Sequence, residues 1–256
     1  MTEPQRISSR DNPLLVKLRR LTQDGASYRR TGAVWVEGEH LCAAAQLRGV
    51  SVSQALLSES ALRSARLLAI ARHAPRISVV PDELFAALST LESPSNMGFV
   101  LDAPAPPELA VSVNTLVLDR LQDAGNVGSI LRSAAALGVA QVLAIKGTVA
   151  LWSPKVLRAG MGAHFALALL EGLDVESLQA LTVPLIATSS HAAHMLHDVR
   201  LPLPVAWVLG HEGQGVSAQL LSQCALTLRI PQPGGEESLN VSAAAAICLY
   251  ESLRQR

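Results

Sequence analysis

Three stretches of the chain concentrate glycine with amide, carboxylate and hydroxyl side chains: DRLQDAGNVGSILRSA (119–134), GHEGQGVS (210–217) and IPQPGGEESLNVSAA (230–244). Each follows a short apolar run, so each is expected where a strand ends. Glycine after a strand is by itself ordinary turn chemistry. Asn126, Glu212 and Asn240 exceed what a turn requires and put an amide or carboxylate into each loop. In open α/β sheets, ligands bind where such loops leave the carboxyl ends of strands. The familiar nucleotide signatures are missing. There is no GxxxxGK[ST], which excludes the phosphate-binding loop of nucleotide hydrolases. Gly210, Gly213 and Gly215 read GxxGxG, the reverse of the dinucleotide fingerprint, and follow a late strand; a nucleotide-dependent oxidoreductase therefore ranks last. Ser238 lies in EESLN and not in GxSxG, so a nucleophile elbow is unsupported. His211-Glu212 lacks the second histidine of HExxH. His191, His194 and His197, spaced three apart, would share a helical face, but they read as a solvated segment and no metal is expected.

Local roles compete with a site role at two of these positions. Glu212 also reads as a carboxylate at a helix N-terminus ahead of GQGVS, where the macrodipole favours it. Ser238 and Asn240 also read as caps of the last helix. Either role is compatible with membership of a site.

Elements must hold these loops in place. TLVLD (115–119), QVLAI (141–145), PLIAT (184–188), VAWVLG (205–210) and LTLRI (226–230) are continuously apolar, the pattern of strands buried on both faces in a parallel sheet. Helical segments separate them, including GSILRSAAALG and SPKVLRAGM, and SLNVSAAAAICLYESLRQR closes the chain as a long alanine-rich helix. PAPP (104–107) is the clearest breaker. Residues 1–103 form an expected first domain, 104–112 a linker and 113–256 a second domain. In the first, NPLLVKLRRLTQ (12–23) opens as a helix on Asn-Pro, and VWVEG, QALLS, ISVV and MGFVLD are extended. Helices EHLCAAAQLRG, ESALRSARLLAIARH and DELFAALS alternate with them. The fold class is α/β throughout, a small α/β domain followed by one with a mostly parallel sheet.

The chain has 256 residues, 49% of them hydrophobic and 16% charged, which argues against disorder and allows a sizeable core. No apolar run approaches the length of a membrane span, and MTEPQRISSRDNP lacks the apolar segment of a secretory signal. Cys42, Cys224 and Cys248 are far apart and read as buried thiols in a reducing compartment, so a cytoplasmic protein is expected. The formal net charge of zero hides an asymmetry: residues 1–80 hold 12 Lys or Arg against 6 Asp or Glu, and the remainder holds 9 against 15. Eighteen of the 21 basic residues are arginine, the side chain suited to bidentate phosphate contacts. This basic excess is either a solvated face or a nucleic-acid-binding surface.

The three loops resemble the three motifs of the SpoU (TrmH) family of RNA ribose methyltransferases, in the SPOUT superfamily. NVGSILRSAAALGV is similar to the first motif, with Asn126 and Arg132 at its spacing. VLGHEGQGVS resembles the second, with Glu212, and IPQPGGEESLNVSAAAAICLYE the third, with Ser238 and Asn240. The resemblance covers roughly 113–256, and SSRDNPLLVKLRRL…VWVEGEHL is similar to the substrate-binding domain of a subgroup acting on ribosomal RNA. One departure is Gln232, where the family more often has methionine.

The resemblance implies a C-terminal trefoil-knotted SPOUT domain that binds S-adenosylmethionine, a homodimer with its site at the subunit interface, and an N-terminal L30e/L7Ae-like domain. It implies a catalytic set of Asn126, Arg132, Glu212, Ser238 and Asn240, and cofactor contacts at Gly210, Ile230 and Leu239. Arg132 corresponds to the family's catalytic arginine. Because a guanidinium stays protonated, its expected role is to bind the adjacent phosphate and stabilise charge on the 2′-oxygen. Asn126 would orient the RNA backbone. With few aromatic residues for base stacking, structured RNA read by shape and phosphate is expected. The leading function is methylation of a ribose 2′-OH in large-subunit ribosomal RNA, free or in a ribosomal particle. A transfer RNA 2′-O-methyltransferase is the nearest alternative, and a non-catalytic RNA-binding or ribosome-assembly protein is the alternative from another class.

Overall fold

The structure is a computed structural model and describes residues 4–91, 93–234 and 238–256. The chain forms two compact units, Met1–Ala105 with Trp152–Phe165, and Pro106–Leu151 with Ala166–Arg256. In chain order the first unit contains β1 (Gln5–Arg6), α1 (Pro13–Gln23), α2 (Tyr28–Thr31), β2 (Ala33–Glu37), α3 (Glu39–Leu47), β3 (Val52–Ser58), α4 (Ala65–Ala71), β4 (Ile77–Val80), α5 (Asp82–Ala86) and β5 (Met97–Asp102). The second contains β6 (Thr115–Asp119), α6 (Ala124–Ala136) and β7 (Gln141–Ile145). After α7 (Pro154–Gly160), which belongs to the first unit, it resumes with β8 (Ala168–Leu173), β9 (Leu185–Thr188), β10 (His194–Met195), β11 (Ala206–Gly210), α8 (Ala218–Leu221), β12 (Leu226–Arg229) and α9 (Val241–Arg254).

In the first unit, Asn12 starts α1: its side chain accepts from Leu14 N (2.9 Å) and Pro13 occupies the first helical turn, where its missing N–H costs nothing. Leu15, Leu18 and Leu21 form the buried stripe. ESALRSARLLAIARH, expected as one helix, divides. Ser64 is extended (φ −99°, ψ 107°) and its hydroxyl caps Leu67 N, so a 3-10 turn at Ser60–Arg63 precedes α4. The sheet runs β1-β4-β3-β5-β2, with β5 antiparallel to both β3 and β2 and the remaining pairs parallel. Trp35 lies over Gly98, where a Cβ would come within 2.2 Å of the indole ring.

The second unit is built on seven strands in the order β10-β12-β9-β11-β6-β7-β8, every pair parallel. β6, β7 and β11 are buried along their full length, as their continuous apolarity predicts. α9 packs on α6 and β11. Trp207 Nε1 donates to Ser252 Oγ (2.8 Å), and both residues are buried.

Two expectations are corrected. His194 lies in β10 and His197 in a 3-10 turn, so the three histidines share no helical face; all three are exposed. Cys42 and Cys248 are buried but Cys224 is only half-buried. Burial pushes the Cys248 thiol up to about 12 and that of Cys224 to about 11, so both are protonated at neutral pH. No helix among the described residues is long and apolar enough to cross a membrane.

Candidate active site

The first loop leaves β6 at Asp119 and enters α6, whose N-cap is Asp123; its carboxylate accepts from Asn126 N (2.7 Å). The second loop leaves β11 and folds back on itself. Gly215 N donates to His211 O (2.8 Å) at φ +68°, and Gly213 N donates to His211 Nδ1 (3.0 Å). Gly210 is pressed against the Gly215–Val216 peptide so closely that a Cβ would come within 2.1 Å of it, so only glycine fits there.

That fold-back carries Glu212 to the first loop. Its Oε1 accepts from Asp123 N (3.1 Å) and Asn126 Nδ2 (3.3 Å), and its Oε2 from Gln122 N (3.3 Å). Glu212 is thus a helix N-terminal carboxylate, but at α6. The helix after its own loop, α8, starts at Ala218. Partial burial opposes ionisation of Glu212, and the hydrogen bonds from its own backbone, Asn126, Asp123 and Gln122 outweigh it; the net effect holds the carboxyl below its ordinary value.

The third loop closes the set. Asn240 caps α9 through Oδ1, accepting from Ser242 N (2.9 Å), Ser242 Oγ (2.6 Å) and Ala243 N (3.4 Å). Its Nδ2 donates to Asn126 Oδ1 (2.9 Å). A single hydrogen-bonded chain, Asn240 to Asn126 to Glu212, therefore joins the first loop to two others that lie far along the chain from it (|i−j| of 114 and 86).

The remaining expected residues lie outside this chain. Arg132 is exposed on α6, and its guanidinium makes no hydrogen bond or ion pair among the described residues. Six positions after Asn126, it points about 120° away around the helix. Gly210 and Ile230 lie at the ends of β11 and β12, buried and half-buried. Ser238 and Leu239 are exposed on the approach to α9, and Leu239 keeps 39% of its surface open. Residues 235–237 of the third loop lie outside the described residues.

Sequence reasoning missed a second tie between the first two loops. Asp119 is buried, and its Oδ2 accepts from Ser217 N (2.6 Å) while its Oδ1 accepts from Arg120 Nε (3.0 Å). Arg120 Nη1 reaches Gln214 Oε1 (3.1 Å) from a left-handed backbone (φ +60°). An acid at the last position of an otherwise apolar strand was the available signal. Among the described residues no cluster of three His, Cys, Asp or Glu could hold a metal. Three loops thus meet at strand ends around one pinned carboxylate, that of Glu212.

A family model described as the SpoU rRNA Methylase family matches residues 114–250. The chain is 33% identical to an uncharacterized tRNA/rRNA methyltransferase of Synechocystis sp., over 98% of this chain and 94% of that protein. It is 30% identical to the 23S rRNA (guanosine(2553)-2'-O)-methyltransferase RlmP of Bacillus subtilis, over 86% of this chain and 88% of the relative. A solved structure described as an RNA 2'-O ribose methyltransferase is similar with a TM-score of 0.82 and 31% identity, covering 98% of this chain and 99% of that one. The SpoU methyltransferase AviRb of Streptomyces viridochromogenes, in complex with the cofactor AdoMet, is similar with a TM-score of 0.86 and 25% identity, covering 96% and 98%.

Proposed function

The chain belongs to the SpoU rRNA methylase family, and from that membership we propose that it is an S-adenosylmethionine-dependent methyltransferase acting on a ribose 2′-OH of large-subunit ribosomal RNA. The observation that carries the proposal is the Asn240–Asn126–Glu212 chain, which draws three glycine-rich loops together at the carboxyl ends of parallel strands. The loops suit the cofactor. Gly210, with no side chain of its own, lets the main chain of the second loop close against it, and half-buried Ile230 and exposed Leu239 offer apolar surface to an adenine. When bound, the cofactor supplies an electrophilic methyl on a sulfonium sulfur.

The chain's own residues position and stabilise. Arg132, with its donors uncommitted, binds the phosphate beside the target and stabilises charge on the 2′-oxygen. Glu212, held ionised by its hydrogen bonds, is a poor base at neutral pH and serves to fix the loops. Asn126 commits Oδ1 to Asn240 and one N–H to Glu212, which leaves its second N–H for the RNA backbone. Ser238, exposed beside the cap of α9, completes the catalytic set. Catalysis on this reading is mostly positioning.

The same reading extends to assembly and topology. A homodimer is supported by the outer face of α9, where Ile247, Tyr250 and Leu253 are 41%, 60% and 40% exposed. A trefoil knot is the reading that accompanies α9 packed on α6 and Asn240 bonded back to Asn126. The arginine-rich first unit, with its mixed sheet under helices, is read as an L30e/L7Ae-like RNA-binding domain, in a cytoplasmic protein.

Tritiated methyl transfer from S-adenosylmethionine to total RNA of a strain lacking this gene tests the proposal. Label is expected at a 2′-O position of large-subunit ribosomal RNA, and Arg132→Ala is expected to abolish it while cofactor affinity persists. Label in transfer RNA overturns the substrate. Cofactor binding without label in any RNA or ribosomal particle points to an assembly factor.

A further inference from the structure

β1, β2, β3 and β4 of the first unit all run in one direction and β5 in the other, so one rim of the sheet collects the segments that enter four strands and leave the fifth. The register fixes this rim: Ala33 pairs with Asp102, and Val52 with Leu101. The entering segments are α2, with Arg29 and Arg30; the turn 48–51, with Arg48; and the turn 72–76, with Arg72 and Arg76. All five arginines are exposed. His73 Nε2 donates to Val50 O (3.0 Å) and locks two of these turns side by side. Arg30 is offset by an ion pair with Asp24 (2.7 Å), whereas the guanidiniums of Arg48, Arg72 and Arg76 have no hydrogen-bonding or ionic partner among the described residues. Leu47 stands beside Arg48 with 85% of its surface in solvent, the most open large apolar side chain among the described residues.

This rim carries two acids, Asp24 and Asp102, and the opposite rim carries more. It carries Asp11, Glu37, Glu39, Glu59, Asp82 and Glu83, and its arginines are largely engaged: Arg6 with Glu59 (3.1 Å), Arg10 with Asp11 (4.0 Å) and Arg66 with Glu39. The two rims therefore present different fields, since paired charges cancel and unpaired ones add.

We infer that the rim formed by Arg48, Arg72 and Arg76, with Leu47 at its edge, is the surface on which the first unit holds the RNA sugar-phosphate backbone. The inference rests on the RNA-binding reading of that unit and deepens it to named residues. Three guanidiniums on adjacent turns match phosphates along a strand, and Leu47 offers an apolar contact to an exposed base.

The full chain is titrated with a 23S ribosomal RNA transcript over a range of salt, and methyl transfer is measured in parallel. The triple variant Arg48→Gln, Arg72→Gln, Arg76→Gln is expected to bind roughly tenfold or more weakly, with the slope of log affinity against log salt reduced by about 2. Its rate at saturating RNA and its melting temperature are expected to hold. The lysine triple, Arg48→Lys, Arg72→Lys, Arg76→Lys, is expected to recover most of the slope. Arg10→Gln, Arg63→Gln, Arg66→Gln removes the same charge from the other rim. An equal loss there, or an unchanged slope in the first triple, overturns the inference while methylation by the unaltered chain upholds the enzymatic reading. An unaltered chain that neither binds nor methylates the transcript overturns both.

Discussion

At the scale of single residues, the site depends on where Glu212 spends its carboxylate. It accepts three hydrogen bonds at the start of α6, from Gln122, Asp123 and Asn126. Glu212→Gln keeps the shape but converts one accepting oxygen to a donor that faces backbone N–H groups. Cofactor affinity, read by calorimetry, is expected to fall by roughly tenfold, the scale of one charge-assisted hydrogen bond weakened by solvent. The pH dependence has a definite sign. The folded-state pKa lies below the ordinary value of 4.5, so the stabilisation is complete above that value and is lost as pH falls through the lowered one. Thermal melts from pH 6 to pH 3 are therefore expected to decline more steeply for the native chain than for Glu212→Gln. The residue types of this site were legible in the sequence; the partners were not. Glu212 read locally as a helix carboxylate and proved to be one, but the helix it serves begins 88 positions earlier in the chain, at Ala124. Nor did any local pattern tie Asp119 to Ser217 (|i−j| of 98), because loop closure in space leaves no spacing signal.

Elements were more legible than contacts where burial is uniform. TLVLD, QVLAI and AWVLG are buried at every position and read as strands from apolarity alone. β8 was missed because its apolar run is interrupted by Glu171 and Gly172, and β10 because two residues with one polar side chain make no pattern. The Ser60–Arg63 turn was absorbed into a longer helix because the period continues across Ser64, whose cap breaks it. α9 illustrates what holds an element once formed. Its buried face is Ala245, Cys248, Leu249 and Ser252, and the Trp207–Ser252 bond fixes it to β11. Ser252→Ala leaves the indole N–H buried without an acceptor, a cost of about 1–3 kcal/mol. A melting temperature lower by about 2–10 °C is expected in calorimetric scans, with unchanged secondary structure by circular dichroism.

For the whole molecule, the class, α/β with a mostly parallel sheet, was legible in the alternation of strands and helices. The strand order β10-β12-β9-β11-β6-β7-β8 lay beyond reach, because neighbours such as β6 and β11 are far apart in the chain and one apolar strand looks like another. Assembly is testable at this scale. Ile247→Asp on the outer face of α9 puts a charge where a second copy is proposed to dock, and it is expected to yield monomers by light scattering with loss of methyl transfer. A native chain that is already monomeric and active removes the dimer from the mechanism.

The segment Trp152–Phe165 belongs to the first unit although β6, α6 and β7 precede it in the chain. In α7, Val156 and Leu157 are buried, and the helix packs on β2. The order of synthesis therefore differs from the order of completion. When the ribosome has delivered Ala105, the first unit still lacks a piece that arrives 60 residues later, at Phe165. At roughly 5–20 residues per second, that is a wait of about 3–12 s. Throughout it the nascent unit lacks the part of the covering of β2 that α7 supplies, while the first strands of the second sheet emerge, so the two folding programmes overlap in time.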